Sequence, residues 1–327
     1  MKKFYTSAMA IIILSIILVG CRKNDTIDNT TSGENNYDVF WQRNAVIKQT
    51  FTINVGSGGV ITGTKGTKIT FPANFAVNLD GTAFSGTATV ALKEALVKKE
   101  WFIESLSATT NSNLLQSGGM LDIDIRRADN ATELKPAPAM LLPNAALVGV
   151  IKVEVPRLNP NLIDLALFLP DTGINGTPTV PNTKPPTAWA SAAYYPFGNG
   201  SNSYAFQLPK FRWVNCDGLY NVAGTKTTIK VTPNLTANPG ATNIQAMLVY
   251  KNISTVVTLP PSPGFFQSYA NSIPVGSTAD VVLIGKSASG KILFKVVPAN
   301  VFVANQNIAI TADEVPAATV TAYLSTL

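Results

Sequence analysis

Gly118-Gly119-Met120-Leu121-Asp122-Ile123-Asp124-Ile125 decides the fold class. Leu121, Ile123 and Ile125 alternate with Asp122 and Asp124, and a period of two puts the aliphatics on one face of an extended chain and both carboxylates on the other. The spacing predicts a half-buried strand whose aspartates face water. To its N-terminal side, Gly59-Val60-Ile61 and residues 67–72 and 86–92 are strand-like, and Asn78-Leu79-Asp80-Gly81 is a turn. To its C-terminal side, Trp213, Asn215 and Asp217 alternate with Val214 and Cys216. Residues 227–232, 243–250 and 253–259 follow as strands, with Lys251-Asn252 as a tight turn between the last two. Residues 280–286 and 291–297 flank Ser287-Ala288-Ser289-Gly290, a hairpin signal. One helix is predicted, at the C-terminus. Thr311-Ala312-Asp313-Glu314 has the form of a capping box, and Val320, Leu324 and Leu327 share a helical face, with Pro316 counting against it.

Composition agrees with this all-β reading. The 21 prolines and 23 glycines are spread through 327 residues, as many short strands joined by turns require. Charged residues make up 13%, about half the usual share of roughly 25%, and hydrophobic residues 46%, which excludes a disordered chain. Histidine is absent. Mechanisms built on an imidazole, from the Ser-His-Asp triad to His-Glu-x-x-His zinc sites, are therefore excluded. The net charge is +6, without a basic run long enough to track a phosphate backbone, so nucleic acid is not an expected partner.

The N-terminus has the form of a targeting segment. Met1-Lys2-Lys3 is a positive n-region, and residues 11–19 are the apolar core of an h-region. It ends in Leu18-Val19-Gly20-Cys21, which resembles the lipobox of bacterial lipoproteins; the resemblance implies cleavage before Cys21 and diacylation of its thiol. Removal of Lys2 and Lys3 leaves 23 basic against 19 acidic residues, a net charge of +4. Residues 22–37 are polar with one aliphatic side chain, the composition of a solvated tether. Cys216 is then the one remaining cysteine, without an imidazole to activate it, and is expected to be a small buried apolar residue with no disulfide.

Gly58-Gly59-Val60-Ile61, residues 66–75, Leu92-Lys93-Glu94-Ala95-Leu96 and Gly118-Gly119-Met120 together resemble uncharacterised Bacteroidetes-type envelope lipoproteins. Over residues 50–155 the chain is also distantly similar to the β-sandwich domain shared by ankyrins and netrin receptors. Some relatives of that sandwich cleave themselves with a histidine, which this chain lacks. Trp213-Val214-Asn215-Cys216-Asp217 resembles a Trp-x-Asn-x-Asp pattern of the same lipoproteins, without an assigned role. Lys23, Asn24 and Asp25 match in part the residues that follow the lipidated cysteine in surface-exposed members, so the outer membrane is the expected location. The expected organisation is a lipoprotein signal peptide (1–20), a flexible tether (21–45), a first antiparallel β-sandwich (46–157), a Pro/Gly-rich connection with strands (158–210), and a second sandwich with the C-terminal helix (211–327).

In the connection, Asp171, Gly173, Asn175 and Gly176 have the start of a calcium loop, but Asn182 stands where the bidentate Glu is required, so a turn is expected and no metal. The Pro-rich residues 178–186 cannot form a regular ladder. Trp189, Tyr194, Tyr195 and Phe197 cluster in a stretch poor in charge. Aromatics on loops either pack onto their own domain or form a platform for sugars or a protein partner, which makes Trp189, Tyr194 and Tyr195 the candidate ligand contacts. Three function classes follow. The first is a lipid-anchored envelope protein with non-catalytic structural or interaction sandwiches, no cofactor, and the membrane and an envelope protein or glycan as partners. The second is a glycan-binding or adhesive module using the three aromatics. The third is a carboxylate glycosidase, which needs two facing carboxylates about 5 to 9.5 Å apart in a cleft; no catalytic residue is assigned to it.

Overall fold

A computed structural model of the chain describes residues 35–171 and 186–327. The signal segment, Cys21 and most of the 172–186 connection lie outside these residues. The fold is all-β, with three short helices among the described residues. Four sheets stack in sequence, and why they do so follows from which strand faces are apolar.

Sheet 1 orders β1 (Gln49–Asn54), β5 (Thr87–Ala95), β6 (Leu115–Arg127), β13 (Arg212–Leu219), β9 (Ala166–Pro170) and β10 (Trp189–Ser191). Sheet 2 orders β11 (Phe197–Asn199), β12 (Ser203–Gln207), β8 (Lys152–Pro156), β3 (Lys68–Phe71) and β2 (Gly59–Thr62). Leu121, Ile123 and Ile125 of β6 and Val214 and Cys216 of β13 meet Ile61, Ile69, Val153 and Phe206 of sheet 2 in the first core. A two-stranded ladder of β4 (Ala76–Asn78) and β7 (Leu134–Pro136) covers one end of it.

The second sandwich pairs sheet 3 with sheet 4. Sheet 3 orders β17 (Val256–Thr258), β16 (Thr242–Val249), β21 (Thr278–Lys286), β22 (Ile292–Val301) and β24 (Asp313–Val315). Sheet 4 orders β18 (Pro261–Ser262), β19 (Phe265–Gln267), β15 (Lys230–Pro233) and β23 (Asn307–Ile310), the last two pairing in parallel. Short strands β14 (Lys226–Thr227) and β20 (Ile273–Pro274) form a separate ladder. The run Val281-Val282-Leu283-Ile284 shows no alternation because both faces of β21 are covered: Val281 and Leu283 face sheet 4, and Val282 and Ile284 face the first sandwich.

A third core joins the two sandwiches. Met120, Phe168, Trp189 and Trp213 of sheet 1 meet Met247, Val249, Val282 and Phe294 of sheet 3, and all three helices insert between them. Helix α1 (Tyr37–Asn44) contributes Tyr37 and Phe40, α2 (Lys98–Ile103) contributes Trp101 and Phe102, and α3 (Ala317–Leu324) contributes Val320 and Leu324.

Several expectations are corrected here. Residues 37–44, placed in the flexible tether, are helical. Asn36 caps the helix, its Oδ1 accepting from the backbone N–H groups of Asp38 (2.9 Å) and Val39 (3.2 Å), and the buried Tyr37 and Phe40 fasten it to the third core. Strand pairing also crosses the boundaries drawn at 157/158 and 210/211: β9 to β12 complete the edges of sheets 1 and 2, and β13 lies between β6 and β9. Gly and Pro mark where strands end, not which sheet a strand joins. The C-terminal helix stands where it was predicted, but not on a capping box. Glu314 lies in β24 and bonds Ser289 (2.7 Å) and Lys291 (2.8 Å), while Pro316 precedes the first turn, where its missing N–H costs nothing.

Candidate functional site

Asp122 and Asp124 leave the first core as the alternation requires, yet they do not face water: they are 6% and 4% exposed. The cause is Arg212. In the register it stands opposite Ile123, a position whose side chain would enter the first core. Its φ of +84° departs from extended backbone, and its guanidinium lies on the other face, 2.6 Å from Asp124 and 3.4 Å from Asp122. Asp124 also pairs with Arg126 (3.0 Å) and Lys48 (3.5 Å). Burial raises the Asp124 pKa, but the Arg126 hydrogen bond and the Arg212 charge outweigh it and hold the carboxyl below its usual range. Asp122 goes the other way. Burial lifts it, Arg212 offsets only part of that, and the negative Asp124 adds to it.

Divergent pKa values in neighbouring carboxyls can mark acid–base chemistry. Here both groups share one arginine, and the adjoining hollow, of about 140 Å³, is lined by Asp124 and Arg212 but not by Asp122. The pair is built as an ion cluster that covers one face of sheet 1.

Trp213, Asn215 and Asp217 occupy that same outer face, toward the second sandwich, and are buried. Ser117 Oγ donates to Asn215 Oδ1 (2.9 Å), and Asn215 Nδ2 donates to Asp217 Oδ2 (2.5 Å). Alongside, Ser117 N–H donates to the Ser254 carbonyl (2.8 Å) and Thr255 Oγ1 to the Leu115 carbonyl (2.6 Å), so loop 250–255 of the second sandwich is hydrogen-bonded directly to β6. Burial pushes the Asp217 carboxyl well above its usual range, with Ser117 and Asn215 pulling it only partly back. The segment without an assigned role thus sits at the joint between sandwiches. Cys216 points into the first core, and burial raises its thiol pKa, with a further push from Asp217; a fully buried thiol of that kind is inert.

The three candidate aromatics do not form one surface. Trp189 is fully buried in the third core, its Nε1 donating to the Ser107 carbonyl at 2.5 Å. Tyr195 is buried in the first core, while Tyr194 is 67% exposed and tilted against it, ring centroids 4.4 Å apart. Charge-poor sequence left open which of them faced solvent; strand β10 takes Trp189 inward.

A concave site that sequence reasoning missed lies where the helices meet the first sandwich. This cleft of about 410 Å³ has an apolar floor of Val46, Ile103 and Leu324 and a charged rim of Arg43, Lys65, Lys99 and Glu100. One wall is Glu94, fully buried at the end of β5, which accepts from Gln49 Nε2 (2.7 Å) and the backbone N–H groups of Lys65 (3.0 Å) and Thr67 (2.9 Å). It docks the β2–β3 turn so closely that a Cβ on Gly63 would lie 2.4 Å from Glu94 Oε2. Lys65 in turn bridges the Glu94 carbonyl and the Glu100 carboxylate, each at 2.6 Å. Only the helix face Tyr37, Phe40, Trp41 could have signalled it, since those residues stand at i, i+3 and i+4.

Among the described residues no helix is long and apolar enough to cross a membrane, and no group of three His, Cys, Asp or Glu side chains is placed to hold a metal. No protein-family model matches the chain, and no curated protein matches it.

Proposed function

We infer that the chain is a lipid-anchored protein of a bacterial envelope, a non-catalytic interaction module held by Cys21 to the outer membrane. The observation that carries this reading is where the reactive side chains stand. Asp122, Asp124, Asp217, Glu94 and Cys216 are each buried, the carboxylates in ion pairs or hydrogen bonds within the fold and the thiol in the first core. Among the described residues the helix-lined cleft is a concave surface open to a ligand, and its apolar floor and the excess of basic over acidic side chains in its lining suit a small anionic amphiphile. The resemblance to envelope lipoproteins and the Leu18-Val19-Gly20-Cys21 motif support the anchor. The adhesive reading has lost its three-aromatic platform and retains Tyr194 alone.

Mass spectrometry of the mature N-terminus tests the anchor: a diacylglyceryl-modified Cys21 is expected, and a mature chain that retains residues 1–20 overturns it. The non-catalytic part fails if the purified protein turns over an ester, peptide or glycoside and Asp122→Asn abolishes turnover while leaving the fold intact.

A further inference from the structure

One end of the first sandwich carries apolar side chains that its core does not use. Residues 136–151 contain no charged side chain, and neither do residues 186–209, which lie beside them. After β7 a 3-10 turn, Pro138–Leu141, leads into a loop that exposes Leu141 (42%), Leu142 (68%) and Val148 (69%). Tyr194 stands next to them, since the hydroxyl of its ring partner Tyr195 donates to the Leu141 carbonyl at 3.4 Å.

The loop is fixed from beneath. Gln207 is fully buried; its Nε2 donates to the carbonyls of Met140 (2.7 Å) and Leu142 (2.9 Å), and its Oε1 accepts from Asn144 N–H (3.0 Å). Asn144 then bonds the backbone of Ala146 (3.0 Å) and Val148 (2.8 Å). Polar side chains are turned inward to hold the backbone, and aliphatic ones point out, the reverse of an ordinary surface loop. Around the base stand Lys135 on β7 and Lys210 just past β12, which line the hollow of about 140 Å³ with Asp124 and Glu133, and Lys152 opposite Gln207 on β8, which pairs with Glu154 at 3.1 Å. No acidic residue lies between Glu133 and Glu154 or between residues 186 and 216.

We propose that this tip, residues 138–148 with Tyr194, docks on the surface of an anionic bilayer. Leu142 and Val148 enter the acyl boundary, Tyr194 sits at the headgroups, and the lysine collar meets lipid phosphates. A second copy is a poorer occupant, because the exposed parts of four side chains fall well short of the roughly 800 Å² per partner of a stable complex. The proposal rests on the anchoring at Cys21 proposed above. Cys21 and Asn35 are 14 residues apart, a span of at most about 50 Å, so an anchored chain is kept near the bilayer, where weak insertion becomes effective.

The test uses the full lipidated chain in vesicles of phosphatidylethanolamine and phosphatidylglycerol. An environment-sensitive fluorophore is placed at Leu142→Cys or, as a control in the second sandwich, at the exposed Thr236→Cys; Cys216 is buried and does not compete for label. The label at 142 is expected to emit to the blue of the label at 236 and to be quenched by spin-labelled lipid. Both effects should be lost in the Val148→Asp, Tyr194→Ser background, whose changes lie on exposed side chains, and weakened by Lys135→Glu with Lys210→Glu. A chain that floats with the vesicles while residue 142 stays in water overturns the tip and leaves the anchor standing. A chain that does not float overturns both. Dimers in vesicle-free detergent that Leu142→Asp breaks overturn the bilayer in favour of a second copy.

Discussion

Sheet 1 has two buried faces, and they are buried by different means. Toward sheet 2, β6 and β13 present Leu121, Ile123, Ile125, Val214 and Cys216, which exclude water by packing alone. Toward the helices and sheet 3 the same strands present Met120 and Trp213 together with Asp122, Asp124, Asn215 and Asp217, which stay buried because each carboxyl has a partner: Arg212 of β13 for Asp122 and Asp124 of β6, and Asn215 of its own strand for Asp217. The apolar face needs volume to be filled, whereas the polar face needs particular atoms at particular places. Removing one partner from the second face strands the other, and that difference can be measured.

The largest effect is expected where the second face is apolar. Trp189→Ala empties a fully buried site and leaves the Ser107 carbonyl without its donor, so chemical denaturation should show a loss of about 3–5 kcal/mol. A loss below about 1 kcal/mol would mean that the third core does not hold the sandwiches together. Next comes Arg212→Ala, which leaves Asp122 and Asp124 buried with fewer positive neighbours and should cost about 3 kcal/mol. Arg212→Gly sharpens this. Glycine adopts a φ of +84° without the Cβ penalty, so it should be about 1 kcal/mol more stable than the alanine variant although both lack the guanidinium. Equal stabilities would show that the backbone at 212 relaxes once its ion pairs are gone.

How far the sequence could be read depended on the face. Alternation in 121–125 and 213–217 correctly separated the residues of the first core from the rest, because a period of two is local. It could not tell that the other face would be covered, since that depends on helices 37–44, 98–103 and 317–324 and on a second sandwich arriving from elsewhere in the chain. Arg212 was invisible for a further reason: its side chain crosses to the aspartates through a left-handed φ that the residue type does not announce. The hairpin at 287–290 was legible, with Gly290 at φ +82° between β21 and β22, because turn chemistry is also local. The helix-lined cleft was not, as its floor comes from residues 46, 103 and 324.

The smallest effect is expected at Asp217, and its sign separates the two ways of burying a carboxyl. Asp124 is held below its usual range by arginines, so it contributes stability above the unfolded carboxylate range that is lost as pH falls. Asp217 has its pKa raised by burial among uncharged partners, Ser117 and Asn215. A raised folded pKa means the native state holds the proton more tightly than the unfolded chain does. The associated stability is therefore complete below the ordinary range near 3.8 and is lost as pH rises toward the folded value. An amide cannot ionise and keeps nearly the same shape. Asp217→Asn should accordingly lie within about 1 kcal/mol of the parent at pH 4 and gain on it steadily as pH is raised. Denaturation midpoints of the two proteins from pH 4 to pH 8 measure this. If the variant instead loses ground as pH rises, Asp217 is charged in the folded protein, and the joint between the sandwiches must contain a cationic partner for it.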